Sequence, residues 1–248
     1  MILLRSAAFN LAYVAWTTVL GVVLLPALLM SRRVNMAIAR LWARGVLTLL
    51  RALVGLTHQL RGLEYRPTSP AIVALKHQST WETVLLLLLL PDAAVVYKRE
   101  LHLIPLFGWF IRKLEMVPID RGAGSTAVRS LLRRARACVA QRRIIAVMPE
   151  GTRVAPGVRG PYHPGIAALY GDLGLPVVPV ALNAGLFWGR RSFLKRPGVI
   201  TLEFLPPIPP GMDRPTFMAE LQARIETASD RLAREAAATY LMTYPPVA

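Results

Sequence analysis

Residues 144–153 of this chain read IIAVMPEGTR. A run of apolar residues passes here directly into a turn that contains Glu150, Gly151, Thr152 and Arg153. Short apolar runs that end at Pro and Gly are typical of fully buried strands. A loop with a glycine, a hydroxyl and a guanidinium supplies the donors of a phosphate site. The stretch therefore predicts a buried strand whose end carries a binding function.

The same pattern, a short apolar run followed by a helical stretch, repeats on both sides of this segment. Strands are predicted at residues 71–75, 94–97, 144–148, 177–182 and 199–204. Helices are predicted at residues 83–90, 125–141, 165–173 and 213–238, and Asp213 is a plausible N-cap of the last one. Such alternation predicts an α/β domain over residues 58–248, with a mixed, largely buried sheet flanked by helices.

Residues 1–57 differ from the rest and predict an N-terminal membrane anchor made of helices. Residues 6–31 carry no charged side chain, and about 20 apolar residues are enough to cross a bilayer. Residues 34–56 predict an amphipathic helix whose arginines share one face, which suits an anionic membrane surface but also fits a packed surface helix. If the first segment crosses the bilayer, the arginines that follow it place the rest of the chain in the cytoplasm.

The charge balance favours anionic partners. The chain has 30 Lys and Arg residues against 14 Asp and Glu residues, a net charge of +16. A phospholipid surface, a phosphorylated substrate and nucleic acid all fit this excess. The basic residues are scattered rather than interleaved with aromatics, which argues against nucleic acid. The four histidines show no ligand spacing, so no metal or other cofactor is expected.

The segment after the first predicted strand, KHQSTWE at residues 76–82, carries a candidate catalytic pair. His77 and Glu82 converge only if His77 lies in the loop and Glu82 lies in the first turn of the next helix, an arrangement that an N-cap at Ser79 or Thr80 would produce. A carboxylate beside a neutral imidazole makes a general base. Ser79-x-x-Glu82 also fits a helix capping box, which would leave His77 as a simple loop residue.

Two further residues of interest are Arg121 and Glu150. Arg121 ends the block PIDR at residues 118–121 and offers bidentate donors to a phosphate, although a surface turn with an Asp–Arg pair fits as well. Between Arg121 and Arg159 there are nine arginines and one acid, Glu150. We therefore expect Glu150 to pair with an arginine and to orient it.

Taken together, these blocks resemble the glycerophospholipid acyltransferase family, and within it the bacterial 1-acyl-sn-glycerol-3-phosphate acyltransferases. The resemblance rests on His77-x4-Glu82, PIDR at 118–121, PEGTR at 149–153 and PVVPV at 176–180, in this order. It covers roughly residues 60–228, and the first and third blocks together are far more specific than either alone.

The resemblance implies a base, His77, its carboxylate partner, Glu82, and a membrane anchor that could be a two-helix hairpin in one leaflet. It also implies an acceptor-phosphate site at Arg121, Glu150, Gly151 and Arg153. Thr152 lies within the same block, so its hydroxyl is included in this site. Four positions depart from the family pattern. Glu82 stands where Asp is usual, Lys76 where Asn is frequent, Met148 where Phe is usual, and His163 where Lys is frequent.

The expected activity is a lysophosphatidic acid acyltransferase that makes phosphatidic acid from an acyl thioester. The chain has no Gly-x-Ser-x-Gly elbow, so direct transfer without an acyl-enzyme is expected. The expected partners are membrane phospholipid, lysophosphatidic acid, and acyl-CoA or acyl carrier protein. The expected place is the cytoplasmic face of the bacterial inner membrane. The alternatives are an acyltransferase for another lysolipid, such as a lyso-aminolipid, and a non-catalytic membrane-tethered protein that binds nucleic acid.

Two surface segments are consistent with this expected activity at a membrane. The predicted helix 125–141 sets arginines on one face, which could dock an acidic thioester carrier or simply be solvated. Residues 186–196 interleave Phe187, Trp188 and Phe193 with cations, which fits either a membrane-docking loop or a loop whose aromatics pack on the core.

Overall fold

The computed structural model describes residues 1–242 of the chain, apart from the side chain of Arg121. The strands of the described region are β1 (Leu56–Arg61), β2 (Ile72–Leu75), β3 (Ala94–Lys98), β4 (Val117–Ile119), β5 (Ile145–Val147), β6 (Val177–Leu182) and β7 (Gly198–Phe204). The α-helices are α1 (Ile2–Val23), α2 (Arg32–Leu49), α3 (Trp81–Leu89), α4 (Phe107–Lys113), α5 (Gly124–Ala140), α6 (Gly165–Leu173) and α7 (Arg214–Tyr240).

These strands form one sheet in the order β1-β7-β6-β2-β5-β3-β4. Every neighbouring pair is parallel except β6 and β7, which are antiparallel, so the sheet is mixed as the sequence predicts. The parallel pairing of β2 with β5 decides where the functional residues lie. Because both strands run the same way, the loop after Leu75 and the loop after Val147 leave the same edge of the sheet.

The five strands and four helices predicted in the α/β domain are all present, with boundaries that differ by at most two residues. Asp213 caps α7, since its side chain accepts a hydrogen bond from the backbone N–H of Thr216 at 3.0 Å. Pattern reading missed β1, β4 and α4. β1 and β4 are the two edge strands, and their polar or Pro-containing sequences give no continuous apolar run.

The sheet is covered on both faces, and the alternation of side chains along β2 shows how. Val73 and Leu75 belong to the apolar cluster that α2 and α3 cover, whereas Ile72 and Ala74 belong to the cluster that α5, α6 and α7 cover. All four side chains are fully buried. This double burial explains why the central strands read as uninterrupted apolar runs.

The charge-free N-terminal segment forms α1, a 22-residue helix, followed by a 3₁₀ turn at Leu25–Leu29. Within residues 1–242, α1 is the one helix that is long and apolar enough to cross a bilayer. Both of its ends contact the α/β domain. Ser6 exchanges hydrogen bonds with the backbone of Lys195, and a Cβ added at Gly21 would lie 3.3 Å from Leu106. The helix therefore lies along the domain.

The amphipathic segment forms α2, which continues through a π-helical turn at Leu50–Val54. Its buried residues Ala43 and Val46 belong to the same apolar cluster as Phe9 of α1 and Val73 of the sheet. The two N-terminal helices thus share a core with the sheet. The division at residues 57 and 58 stays a prediction.

Candidate active site

His77 and Glu82 form a hydrogen-bonded pair at the carboxyl edge of the sheet. His77 lies in the loop after β2, and Glu82 lies in the first turn of α3. His77 Nδ1 is 2.9 Å from Glu82 Oε1, the carboxylate is fully buried, and the imidazole is 18% exposed. The predicted convergence of the two side chains, with one residue in the loop and the other in the helix, is confirmed.

The same carboxylate oxygen also organises the start of the helix. Glu82 Oε1 accepts the backbone N–H groups of Gln78 at 2.8 Å and Ser79 at 2.7 Å. Ser79 Oγ in turn accepts the N–H of Trp81 at 3.2 Å. The bond from the Ser79 N–H resembles the acidic half of a capping box, although the N-cap of α3 is Thr80 and its side chain makes no capping bond. Capping and imidazole orientation are therefore two results of one arrangement.

This arrangement sets the tautomer of His77. A carboxylate oxygen that already accepts two N–H groups can only accept again from the imidazole, so Nδ1 carries the hydrogen. Nε2 is then the nitrogen with a free lone pair, on an imidazole that lines a cleft. A neutral imidazole with Nε2 unprotonated and a carboxylate behind it is equipped to act as a general base.

The loop after β5 holds the backbone of His77 on both sides. Glu150 Oε2 accepts the N–H of His77 at 2.9 Å, and the N–H of Val154 donates to the carbonyl oxygen of His77 at 2.8 Å. The first and third sequence blocks are thus joined by hydrogen bonds directly around the candidate base.

The expectation that Glu150 pairs with an arginine is wrong. Its Oε1 lies 2.6 Å from Lys76 Nζ, and both side chains are buried. Burial raises the pKa of the Glu150 carboxyl, while the charge and hydrogen bond of Lys76 oppose that increase. The partner comes from the neighbouring parallel strand, because the end of β2 lies beside the end of β5.

A cleft of about 640 Å³ opens in front of His77. Four of the predicted site residues line it: His77, Gly151, Thr152 and Arg153. Glu82 and Glu150 are buried behind it. Arg153 is held in place by the hydroxyl of Thr80, to which its Nη1 donates at 2.9 Å.

Arg121 is the predicted site residue whose side chain lies outside the described part of the structure. Its backbone begins a 3₁₀ turn, Arg121–Ala123, directly after β4. Asp120 accepts the N–H of Gly122 at 3.1 Å and pairs with Arg99 at 3.0 Å. The turn is therefore built by Asp120, and the role of Arg121 stays a prediction.

Sequence reasoning missed three cations that line the cleft: Lys98, Arg190 and Arg191. No Asp or Glu is among the described residues that line it, so the cleft has a strongly positive character. The two arginines belong to the segment 186–196. Two of the cations in this segment therefore line the cleft, and contact of the segment with a membrane stays a prediction.

The aromatic residues of the same segment support a different interpretation from its arginines. Phe187 and Trp188 are buried in the core, and the Trp188 ring packs edge-on against Phe9 of α1 at 5.4 Å. Phe193 alone of the three is exposed. Core packing is therefore the correct interpretation for Phe187 and Trp188, and membrane docking by these two side chains is excluded.

The cleft adjoins an apolar slot of about 220 Å³ between the N-terminal helices and the segment around α4. Thr83, Val95, Tyr97 and Leu101 line both spaces. Further side chains of the slot include Leu20, Ile38, Trp42, Phe110 and Met116. A basic cleft that adjoins an apolar slot suits a ligand with one charged end and one hydrocarbon chain.

Comparison with known proteins supports this chemistry. Residues 58–183 match the family model described as Acyltransferase. The chain is 36% identical over 185 residues to the 1-acyl-sn-glycerol-3-phosphate acyltransferase of Pseudomonas aeruginosa, a match that covers 75% of this chain and 72% of the relative. It is 32% identical over 151 residues to the enzyme of that name from Cocos nucifera, covering 60% of this chain but only 49% of the relative.

A solved structure shows the same fold. The 1-acyl-sn-glycerophosphate acyltransferase of Thermotoga maritima superposes with a TM-score of 0.74, at 22% identity, over 93% of this chain and 95% of that one. The sequence match and the family model together show that the chain belongs to the acyltransferase family. It is therefore a transferase of acyl groups, as the His77 and Glu150 blocks predict.

Proposed function

We propose that the chain transfers a fatty acyl group from a thioester, acyl-CoA or acyl carrier protein, to the free hydroxyl of 1-acyl-sn-glycerol 3-phosphate, forming phosphatidic acid. The observation that carries the proposal is the His77–Glu82 pair at the wall of a basic cleft that adjoins an apolar slot. The name and extent of the match to the Pseudomonas aeruginosa relative support the choice of acceptor.

The chemistry is a direct transfer. Nε2 of His77 takes the proton of the acceptor hydroxyl as its oxygen attacks the thioester carbonyl carbon. The C–S bond then breaks, the new ester forms, and the leaving thiolate takes the proton back from the imidazolium. Glu82 stabilises the imidazolium between these steps because its carboxylate contacts Nδ1.

Arg153, together with the backbone and hydroxyl groups of Gly151 and Thr152, binds the acceptor phosphate in this proposal. Arg121 is a further member of this site that the sequence predicts. The positive charges of the surrounding cleft add to the attraction for a phosphate. Glu150 supports the site indirectly, since both of its oxygens are already engaged by Lys76 and by the His77 backbone.

The enzyme works at a membrane surface in this proposal, with its α/β domain on the cytoplasmic face of a bacterial inner membrane. The outward side of α1 exposes Leu11, Val14, Val19 and Val22. Because both ends of α1 contact the domain, the helix is suited to lie within one leaflet rather than to cross the bilayer. The basic face of α5 is a candidate dock for the acidic thioester carrier.

The test is a product assay on the purified full-length chain. The protein is mixed with lysophosphatidic acid and a panel of acyl thioesters, and the products are identified by mass. Phosphatidic acid is the expected product, and the matched acceptor without phosphate, monoacylglycerol, should react poorly. If the protein acylates another lysolipid efficiently and leaves lysophosphatidic acid unchanged, the proposed acceptor is wrong, but the chain is still an acyltransferase.

A further inference from the structure

A buried cluster of charged side chains lies directly behind the His77 loop. Lys76 Nζ contacts Glu150 Oε1 at 2.6 Å and both carboxylate oxygens of Glu226 at 2.8 Å. The hydroxyl of Tyr162 donates to Glu226 Oε1 at 3.0 Å. Lys76, Glu150 and Glu226 are each at most 3% exposed. A Cβ at Gly160 would lie 3.5 Å from Glu150 Oε1, so the backbone there closes the cluster closely.

The contacts of Lys76 match the donors that it has. An ammonium group carries three hydrogens, and here the three nearest acceptors are one oxygen of Glu150 and two of Glu226. In a site without solvent, loss of an acceptor leaves a buried donor unpaired, which is costly. Glu226 therefore fixes where Lys76 Nζ lies.

Lys76 in turn fixes the orientation of the Glu150 carboxylate, whose second oxygen accepts the His77 N–H at 2.9 Å. A continuous series of hydrogen bonds thus runs from the middle of α7 to the backbone of the candidate base. Glu226 lies outside residues 58–183, the part of the chain that matches the family model. It belongs to none of the sequence blocks that identify the family.

We propose that Glu226 is a positioning residue for His77, acting through Lys76 and Glu150. It touches no reacting atom. General-base catalysis depends on the distance between Nε2 and the acceptor hydroxyl, and a displacement of about 1 Å can cost on the order of 100-fold in rate. The kinetic part of this inference rests on the proposed function.

The first experiment compares Glu226→Gln with Glu220→Gln in the full-length protein. Glu220 is on the same helix but is only half-buried, with its side chain 39% exposed, and pairs with Arg224. Glu226→Gln should lower kcat by about 10- to 100-fold and leave the KM for lysophosphatidic acid within about twofold, whereas Glu220→Gln should match wild type. Both are assayed well below their melting temperatures, so that a loss of folded protein does not imitate a loss of rate.

A second readout does not depend on activity. The backbone amide of His77, observed by NMR in histidine-labelled protein, should exchange with solvent at least about tenfold faster in Glu226→Gln, because its acceptor is no longer held. If wild type fails to acylate lysophosphatidic acid, the proposed function fails, but this readout still tests the positioning. A folded Glu226→Gln protein with wild-type kcat, or with an unchanged His77 amide, would overturn the inference.

Tyr162→Phe provides a milder variant if Glu226→Gln does not fold. It removes only the hydroxyl that donates to Glu226. We expect kcat to fall about threefold and the exchange of the His77 amide to change in the same direction. Wild-type behaviour in both measurements would overturn the inference.

Discussion

Lys76 and His77 are consecutive residues, yet they occupy opposite environments at the end of β2. The Lys76 side chain points into the protein and is 2% exposed, whereas the His77 imidazole lines the cleft. Each contacts a buried carboxylate at a similar distance, 2.6 Å for Lys76 to Glu150 and 2.9 Å for His77 to Glu82. Distance to a carboxylate therefore does not distinguish the two residues.

The difference lies in what remains available for chemistry. Every donor of Lys76 has an acceptor within the buried cluster, so this residue can only hold its neighbours in place. His77 uses one nitrogen on Glu82 and keeps the other for the cleft. Access and an unused lone pair fit the catalytic role proposed for His77, whereas complete hydrogen bonding of its donors fits a structural role for Lys76.

The largest effect on stability should come from Lys76→Met. The change leaves the carboxylates of Glu150 and Glu226 buried without their cation, so we expect the free energy of unfolding to fall by about 3–5 kcal/mol. Lys98→Met is the matched control at the end of β3, and because Lys98 is exposed, its cost should stay within about 0.5 kcal/mol. Equal losses for the two variants in a denaturant titration would contradict the role given to Lys76.

Glu82→Gln separates orientation from capping. The variant keeps the shape of the side chain but removes the charge that stabilises the imidazolium, so kcat should fall by about 100-fold. Because the amide oxygen of Gln can still accept the backbone N–H groups of Gln78 and Ser79, the cost in stability should stay within about 1 kcal/mol. Glu82→Asp should keep much more of the rate, since the charge persists. If Glu82→Gln loses stability alone and keeps its kcat, Glu82 is only a capping residue.

A smaller effect is expected for Arg153→Ala. Its guanidinium should contact the acceptor phosphate in both the ground state and the transition state, so the KM for lysophosphatidic acid should rise about tenfold with a smaller change in kcat. Monoacylglycerol should then be an equally poor acceptor for wild type and variant. An Arg153→Ala enzyme that still prefers the phosphorylated acceptor as strongly as wild type does would show that the phosphate is bound elsewhere.

Local sequence patterns were sufficient for much of this site. The strands that end at Leu75 and Val147 are continuous apolar runs, and the five-residue spacing of His77 and Glu82 allows one simple arrangement at a helix start. Both features depend on residues that are close in the chain, for which strand periodicity and N-capping are reliable guides.

Contacts between distant segments were beyond these patterns. Lys76 is 74 residues from Glu150 and 150 residues from Glu226, and strand and helix packing alone brings them together. The same limit explains the segment 186–196. Its composition gave no indication that α1 would cover Trp188. That contact is made by Phe9, which is 179 residues away in the chain. Composition describes a segment, whereas burial depends on what packs against it.

The most direct test of the account is a comparison of wild type with His77→Ala in a single-turnover reaction with lysophosphatidic acid and an acyl thioester. Wild type should form phosphatidic acid, and His77→Ala should form it about 10²–10⁴ times more slowly, while its free energy of unfolding stays within about 1 kcal/mol of wild type. A folded His77→Ala protein that forms phosphatidic acid at nearly the wild-type rate would contradict the assignment of His77 as the base.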